Sequence, residues 1–282
     1  MKQLIINADD FGRHKSINTA VAKALKKGCL RSATIMAGGK FFEHAVEVAK
    51  KNPKLGVGIH FTLANGYPVL PPEEIPSLVT PEGIFHANYI EFLKLYVKGK
   101  INRAEIQAEL AAQLEKVTRA GLTLTHFDSH QHLHHFPGII GIALKLARAA
   151  NIPAMRVADT KILDGSIESF GQVIGRLGLG SLAKFAAHSA HTKNILTPDH
   201  FSGIVAGESV TERFLAKVIR NLGEGTTEVM LHPGTKNSTL QKFCEWEHDF
   251  EAELNAVTSA KILKLLIKEN VSVVNFSALS KE

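Results

Sequence analysis

Short apolar segments alternate with longer amphipathic segments along almost the whole chain, and this alternation limits the fold more than any other feature. The first apolar run, at residues 4–8, leads into a helical stretch at 15–27 that Gly28 ends. Further strand-like runs lie at residues 32–36, 55–63, 123–128, 154–157, 228–232 and 271–276. Repeated strand–helix units are typical of parallel α/β folds. We therefore predict an α/β protein, a single domain over residues 1–282 folded as a distorted (β/α) TIM-like barrel.

Two segments interrupt this rhythm. Residues 65–88 are rich in proline and glycine, and residues 164–202 are poorly patterned apart from a helix near 177–188. Loops of this length in a compact enzyme usually cover a site or bind a ligand. We predict long functional loops at 65–88 and 164–202.

Composition and charge exclude several classes of protein. Hydrophobic residues make up 45% of the chain, yet no apolar run approaches the ~20 residues that span a bilayer. The first residues lack the features of a signal peptide, and two cysteines do not suggest a disulfide framework. We expect a cytoplasmic protein. The net charge of +6 forms no basic stripe with interleaved aromatics, which argues against nucleic acid and leaves peripheral membrane contact open.

The strongest chemical signal is at residues 125–137, where five histidines and an aspartate lie within ten residues. Alternate side chains on a strand share a face, so His126, Asp128 and His130 should point the same way. Imidazole is the commonest metal ligand, and a nearby carboxylate can ligate the metal or orient the ring. We predict a metal or catalytic role for at least one of these histidines. His134 and His135 lie near the next helix and could be surface residues.

Other predicted strands also end in polar groups: Asp9 and Asp10 after the first, His60 in the third, and His232 after the run at 228–232. Barrel enzymes place catalytic groups at the carboxyl ends of strands, so these side chains should converge with His130. The alternatives are a helix cap for the aspartates and a satisfied core position for His60. One aspartate and two histidines would leave open positions on a divalent ion, as in a catalytic site.

A mixed nitrogen and oxygen ligand set suits zinc and also accommodates manganese, iron, cobalt or magnesium. Such an ion polarises a carbonyl and brings a bound water within reach of deprotonation at neutral pH. A neighbouring carboxylate can take the proton of the water, and a histidine opposite can protonate a leaving amine. These patterns indicate a metal-dependent hydrolase with one divalent ion, magnesium or zinc.

The combined motifs resemble the YdjC-like carbohydrate deacetylases, a family that includes chitooligosaccharide deacetylases. The matching segments are residues 7–12, 58–60, 125–132 and 232–234, in the order and approximate spacing of the family. Residues 66–79 and 197–203 are similar to the hopanoid-biosynthesis-associated, HpnK-like branch. The resemblance covers most of the chain and implies a distorted deacetylase-like (β/α) barrel that removes an N-acetyl group from a sugar.

The resemblance also implies roles for individual residues. The metal ligands would be Asp10, His60 and His130. Asp9 would be the general base and His232 the candidate general acid, although the two aspartates could exchange roles, because their split requires the backbone to curl at the strand end. The candidate substrate-binding residues are His132, Arg156 and Asp128.

The branch resemblance implies an N-acetylglucosaminyl hopanoid lipid as one candidate substrate among N-acetylated sugars and glycolipids. The loops at 65–88 and 164–202 would then receive the apolar aglycone; alternatively, their apolar side chains pack on the barrel. A homodimer is the default expectation for such an enzyme.

Three other interpretations compete. A glycoside hydrolase needs two carboxyl groups on opposite sides of a bond, about 5 Å or more apart, whereas Asp9 and Asp10 are neighbours and the histidines would have no role. A metal-dependent phosphoesterase or amidohydrolase of another family would use the His-x-His patterns at 130–134, although these usually follow the first strand. A non-enzymatic metal-binding module predicts a damaged set of polar residues, and this set is intact.

Overall fold

A computed structural model describes residues 1–159, 170–203 and 209–279, and its centre is a seven-stranded parallel sheet. The strands are β1 (Lys2–Phe11), β2 (Ser32–Ile35), β3 (Gly56–Phe61), β4 (Leu124–Ser129), β5 (His200–Ser202), β6 (Gly225–Leu231) and β7 (Ser272–Val274). The helices are α1 (Lys15–Lys27), α2 (Phe42–Lys51), α3 (Tyr89–Val97), α4 (Arg103–Arg119), α5 (Ile139–Ala149), α6 (Phe170–His191), α7 (Glu212–Arg220), α8 (Asn237–Cys244), α9 (Phe250–Thr258) and α10 (Ala260–Lys268).

The strand order is β4-β3-β2-β1-β6-β5, and every pairing is parallel. β7 pairs with the start of β1 at Gln3–Ile5, and β2 pairs with the end of β1 from Asn7 onward. Since all strands are parallel, their carboxyl ends lie on one edge of the sheet, here called the carboxyl rim. The side chains that follow β1, β3, β4 and β6 are therefore brought to one place.

The described strands form a half-barrel. Beyond β4, pairing is reduced to two isolated bridges, Phe127 with Met155 and Ala154 with Leu196. The predicted strand at 154–157 therefore forms only these two bridges. The backbone N–H of Met155 donates to the carbonyl of Leu196, but the pairing does not extend into a ladder. The α/β class and the parallel strand order agree with the sequence prediction.

Most predicted elements are present, and the differences have local causes. The helix predicted at 15–27 is α1, followed at its carboxyl end by Gly28. Residues 250–269 have one continuous helical periodicity in the sequence. They form two helices, α9 and α10, because the Ser259 hydroxyl accepts hydrogen bonds from the backbone N–H groups of Lys261 and Ile262 and starts a new helix.

The two predicted long loops differ in structure. Residues 65–88 are mostly irregular, and buried Glu109 anchors them by accepting hydrogen bonds from the backbone N–H groups of Val69 and Leu70, at 2.9 and 3.0 Å. In the other segment, residues 164–169 lie outside the described residues, and α6 occupies residues 170–191. The helix is longer than the predicted one at 177–188, so much of this segment is helical rather than loop.

The core is apolar on both faces of the sheet. β1 is buried continuously from Leu4 to Phe11, as expected for a parallel strand covered on both sides. Cys29 and Cys244 are buried and form no disulfide. Among the described residues, we find no helix with the length and apolar character needed to cross a bilayer.

Gly58 in β3 lies directly against the His126 ring, and its replacement by alanine is expected to lower the free energy of unfolding by about 2–3 kcal/mol. A methyl carbon added to Gly58 would lie 2.5 Å from Cε1 of His126. That ring cannot move aside easily, because it stacks on Phe276 at 3.7 Å and Nε2 lies 3.2 Å from the Asn7 side chain. Guanidinium denaturation monitored by circular dichroism measures the loss.

Gly141→Ala is the matched control for Gly58→Ala. Gly141 lies in α5, and a methyl group there would contact no atom within 4 Å. Because alanine favours helix over glycine by about 1 kcal/mol, this variant should be as stable as the parent or slightly more stable. Equal stability of the two variants would contradict the packing argument.

Candidate metal centre

Three ligand atoms from different parts of the chain meet at the carboxyl rim. Asp10 Oδ1 lies 3.4 Å from His60 Nε2 and 3.1 Å from His130 Nδ1. The two imidazole nitrogens are 3.4 Å apart. Two ligand atoms that are each about 2.1 Å from one tetrahedral ion lie about 3.4 Å apart. This triangle therefore has the dimensions of one divalent metal site.

The three ligand atoms of this triangle face a common point. Asp128 Oδ1 accepts a hydrogen bond from His60 Nδ1 at 2.6 Å, which directs Nε2 towards Asp10 and His130, so that Nε2 can hold either a proton or a metal ion. Asp10 Oδ1 is buried and accepts no hydrogen bond from any described residue. A buried carboxylate oxygen without a donor is costly, and a metal ion would satisfy it. The residues present therefore fit a divalent cation.

The surrounding carboxylates also attract positive charge. Burial lowers the pKa of His60, but Asp128, Asp10 and Asp9 outweigh that effect and raise the pKa to about 10. Burial raises the pKa of Asp10, but Arg13 and His130 hold it well below its usual range. Asp10 is therefore an anion, and a cation at His60 Nε2, whether a proton or a metal ion, is stabilised.

A local backbone distortion lets Asp9 and Asp10 share the site. Asp10 has a left-handed conformation with φ of 60°, and the register between β1 and β2 shifts between Ala8 and Phe11. Asp10 therefore departs from the regular alternation of a strand, in which neighbouring side chains point to opposite faces. This is the curl at the strand end that the division of roles between Asp9 and Asp10 requires. Left-handed backbone is unfavourable for a non-glycine residue, by about 1 kcal/mol or more.

A second distortion follows β4. Gln131 and His132 are both left-handed, with φ of 54° and 56°. The turn directs His130 Nδ1 to Asp10 and leaves His130 buried. Burial lowers the pKa of His130, with Asp10 opposing. A lowered pKa favours the neutral imidazole, which is the form that binds a metal.

Arg156 connects three carboxylates beneath the triangle. Its guanidinium donates two hydrogen bonds to Asp9, at 2.6 and 2.7 Å, and lies 2.6 Å from Asp128 and 2.7 Å from Glu228. Burial raises the pKa of Asp9, but Arg156 more than offsets this and holds it below its usual value. Burial raises the pKa of Glu228 to about 7 even beside Arg156.

Arg156 and Asp128 are both completely buried, so neither presents surface to a substrate in this structure. The family resemblance implies substrate-binding roles for both residues. In the structure, Arg156 donates hydrogen bonds to Asp9, and Asp128 accepts one from His60, so both lie beneath the metal triangle.

His232 and His132 are both partly exposed, unlike the three residues of the triangle. His232 is half-buried, and its backbone N–H donates to Glu253. Burial lowers the pKa of His232, and the charges of Asp9 and Asp10 oppose that shift, so the ring lies within electrostatic range of the metal triangle. The ring of His132 is edge-on to Phe201, at 6.2 Å between ring centres, and its buried Nδ1 has no hydrogen-bond partner among the described residues.

The remaining histidines of the 126–135 cluster have structural partners. His126 is buried below the triangle, where Nε2 lies 3.2 Å from the side-chain oxygen of Asn7. His134 Nδ1 lies 2.6 Å from the Ser129 hydroxyl and its Nε2 lies 3.1 Å from the Arg156 carbonyl. His134 and His135 are buried and are not surface residues.

Three residues of this region were not predicted: Glu228, Glu253 and Trp246. Glu228 could have been noticed, because it is the one charged residue of β6. Glu253 lies in an amphipathic helix where acidic residues are common, so its approach to His232 depends on the packing of α9. Trp246 is the only tryptophan of the chain, but no motif connects it to the site.

Asp128→Asn is expected to weaken zinc binding by about 10- to 100-fold. Asparagine can still accept the hydrogen bond of His60 Nδ1, but it loses the negative charge that makes His60 a strong ligand. Competition with a chromogenic chelator measures the affinity. Asp199→Asn is the control, because Asp199 accepts a hydrogen bond from Thr226 N–H at the opposite end of β6. Unchanged zinc affinity in Asp128→Asn would contradict this role.

The half-barrel and its rim define an α/β enzyme with a candidate metal centre. The chain belongs to the YdjC-like protein family, whose sequence profile matches residues 3–268. It is 32% identical to a carbohydrate deacetylase of Brevibacillus brevis, over 98% of this chain and 99% of that protein. It is 30% identical to a carbohydrate deacetylase of Geobacillus stearothermophilus, over 98% of each chain.

The fold is also similar to a crystal structure from Enterococcus faecalis V583, described as that of a candidate cellobiose-phosphate cleavage protein. The TM-score is 0.75 at 26% identity, over 99% of both chains. These matches confirm the predicted family. They also confirm that the protein is an enzyme of the carbohydrate deacetylase class, a class of hydrolases. The relatives do not single out the hopanoid-associated branch.

Proposed function

We propose that this protein is a metal-dependent deacetylase that hydrolyses the acetamido group of an N-acetylated sugar to acetate and a free amine. The observation that carries the proposal is the convergence of Asp10, His60 and His130 on one point, with a buried Asp10 oxygen that has no hydrogen-bond donor in the described part of the chain. Membership of a family with carbohydrate deacetylases supports the reaction class.

The ligand set would hold a single divalent ion. Such an ion polarises the amide carbonyl and makes a water molecule more acidic. A bound ion displaces the proton of His60. The carboxylates of Asp9, Asp10 and Asp128 then face only the two guanidinium groups of Arg13 and Arg156, which leaves a net negative charge for the ion to balance. Magnesium and zinc are the candidates, and two imidazole ligands favour zinc.

Asp9 is the proposed general base. Arg156 keeps it ionised, and among the described residues Oδ2 accepts one hydrogen bond, which leaves a lone pair for a proton from water. A carboxylate with a lowered pKa is a weak base. Asp9 therefore depends on a water that has already been made acidic, and this accounts for its position beside the metal ligand Asp10.

His232 is the proposed general acid. It reaches the rim from the end of β6, away from the His60 and His130 side. Burial lowers the pKa of His232, so a ring that has taken up a proton gives it readily to the leaving amine. His132 remains our candidate for contact with the sugar. For Arg156 and Asp128 we propose positioning roles, towards Asp9 and His60.

The proposed substrate class includes an N-acetylglucosaminyl hopanoid lipid. Exposed apolar side chains near the 65–88 loop support an apolar aglycone there: Tyr67, Ile84, Tyr89 and Ile90. Tyr89 is close to the rim, because its backbone N–H donates to the Gln131 side chain at 2.6 Å. We propose further that the fold is a distorted TIM-like barrel, and that the protein is a cytoplasmic homodimer with peripheral membrane contact.

Acetate release from N-acetylglucosaminides, with and without a hopanoid aglycone, tests the proposal. The protein is stripped of metal and resupplied with zinc, magnesium, manganese or cobalt. We expect metal-dependent acetate release, and its loss in Asp10→Asn and His130→Ala together with loss of bound metal. His188→Ala is the matched control, because His188 is exposed on α6, and it should retain both.

Other products would contradict the reaction. Shorter sugars without acetate would indicate a glycosidase. Phosphate release, or hydrolysis of amides other than acetamido sugars, would indicate a phosphoesterase or amidohydrolase that uses the same ligands. Acetate release from simple N-acetylated sugars but not from the hopanoid conjugate would exclude the lipid substrate and leave the deacetylase.

A further inference from the structure

Trp246 exposes an aromatic surface at the opening of the candidate site. It is the only tryptophan of the chain, and 40% of its surface is exposed. One face of the indole is covered by the His248 ring, with ring centres 4.0 Å apart and planes 20° from parallel. The indole offers a large, rigid apolar surface with a polar N–H, a combination that suits it to contact a ligand.

The indole adjoins the proposed general acid. Its ring centre is 5.1 Å from that of His232, with the planes nearly perpendicular at 88°. His232 itself lies within electrostatic range of Asp9 and Asp10. A molecule that rests on Trp246 would therefore lie next to the group that protonates the leaving amine.

The segment that carries Trp246 is held in place by the chain. Glu245 ends α8 in a left-handed conformation, and Trp246 N–H donates to the Gln241 carbonyl at 3.2 Å. The Gln241 side chain donates in turn to the His248 carbonyl at 3.0 Å. His248 packs on Phe250 at 4.8 Å. These contacts fix the turn that carries Trp246.

We propose that Trp246 is a sugar-stacking subsite, which packs against the ring of the N-acetylated substrate and places its amide nitrogen beside His232. A pyranose ring presents C–H groups on its faces, and these pack well on an aromatic plane. This inference rests on the proposed function and adds the residue that selects and orients the sugar.

Fluorescence measures this contact directly, because Trp246 is the only tryptophan. Zinc-loaded Asp9→Asn protein, which should not turn over, is titrated with N,N′-diacetylchitobiose, and calorimetry measures binding in parallel. We expect a saturable change in emission with the calorimetric affinity. Mannitol, an acyclic polyol without a ring face, should produce none. Binding without any change in emission would overturn the subsite.

Steady-state kinetics distinguish stacking from a structural effect on His232. We expect Trp246→Ala to raise KM roughly tenfold with kcat within about twofold, and Trp246→Phe to fall between. Phe185→Ala, which removes another exposed aromatic on α6, should leave KM unchanged. A fall in kcat with KM unchanged would overturn the subsite.

The two proposals fail separately. An emission change on sugar binding without acetate release from the parent enzyme would sustain the subsite and contradict the deacetylase. Acetate release, with no change in Trp246 emission on sugar binding and with an unchanged KM in Trp246→Ala, would sustain the deacetylase and contradict the subsite. Calorimetric titrations without binding of any N-acetylated sugar would overturn both.

Discussion

Asp9→Asn is expected to lower kcat by about 1,000-fold while zinc affinity stays within a few-fold of the parent. Asparagine is nearly the same size and still accepts hydrogen bonds from Arg156, but it cannot take a proton from water. Because the proton moves only in the reaction, KM should change little. Stopped acetate assays with zinc-loaded protein, and metal analysis of the same samples, make the measurement.

The partner variant Asp10→Asn decides between the two aspartates. The structure places Asp10 Oδ1 within 3.4 Å of both ligand nitrogens, and it engages Asp9 with Arg156. We therefore expect Asp10→Asn to lose metal and Asp9→Asn to keep it. The opposite result, metal lost from Asp9→Asn and kept by Asp10→Asn, would mean that the two residues exchange roles. Asp199→Asn should match the parent in both measurements.

Arg156→Ala is expected to have the largest effect on stability, a loss of about 3–5 kcal/mol. Arg156 is completely buried and lies within 2.7 Å of carboxylate oxygens of Asp9, Asp128 and Glu228. Removing the guanidinium leaves buried negative charges without a partner. The melting temperature should fall by about 10 °C, because each kcal/mol is worth roughly 2–4 °C in a protein of this size.

Two other arginine variants help to assign the loss of stability in Arg156→Ala. Arg156→Lys keeps the charge but not the planar fork that reaches several carboxylates at once, so its stability should lie between those of the parent and Arg156→Ala. Arg148→Ala removes an exposed guanidinium from α5, and its stability should stay within about 0.5 kcal/mol of the parent. A melting temperature of Arg156→Ala equal to that of Arg148→Ala would show that the buried carboxylates are neutral without Arg156.

The stability of the Arg156 network also depends on whether Glu228 is protonated. Its pKa, raised by burial to about 7, lies above the value for an exposed glutamate. Folding therefore favours the protonated form. The free energy of unfolding is expected to fall as the pH rises from about 4.5 to about 7, where the unfolded chain has lost this proton and the folded protein still holds it. Arg156 limits that fall because its guanidinium donates to Glu228 Oε1 at 2.7 Å.

Much of the site was predictable because it lies at strand ends. A parallel sheet brings the carboxyl ends of its strands to one edge, so Asp10, His60 and His130 could be placed together from an apolar run followed by a polar motif. The α1 helix was predictable in the same way, because its periodicity and the glycine that follows it are local features.

Other features depend on contacts between distant segments. Arg156 was expected at the substrate cleft because it follows a strand-like run, but the tertiary structure buries it against Asp9, Asp128 and Glu228, up to 147 positions away in the chain. Trp246 and Glu253 reach His232 only because α8 and α9 pack beside the end of β6. No local pattern contains these distances.

The sequence by itself determined the α/β class, the family and the set of polar residues at the strand ends, because periodicity and motif order are properties of neighbouring residues. Only the tertiary structure decided which atoms meet. The left-handed backbone at Asp10 follows directly on Asp9, and the buried guanidinium of Arg156 donates to Asp9, whereas Asp10 Oδ1 has no hydrogen-bond donor among the described residues. Backbone conformation and burial depend on the packing of the whole chain, which is why these decisions could not be made from the sequence alone.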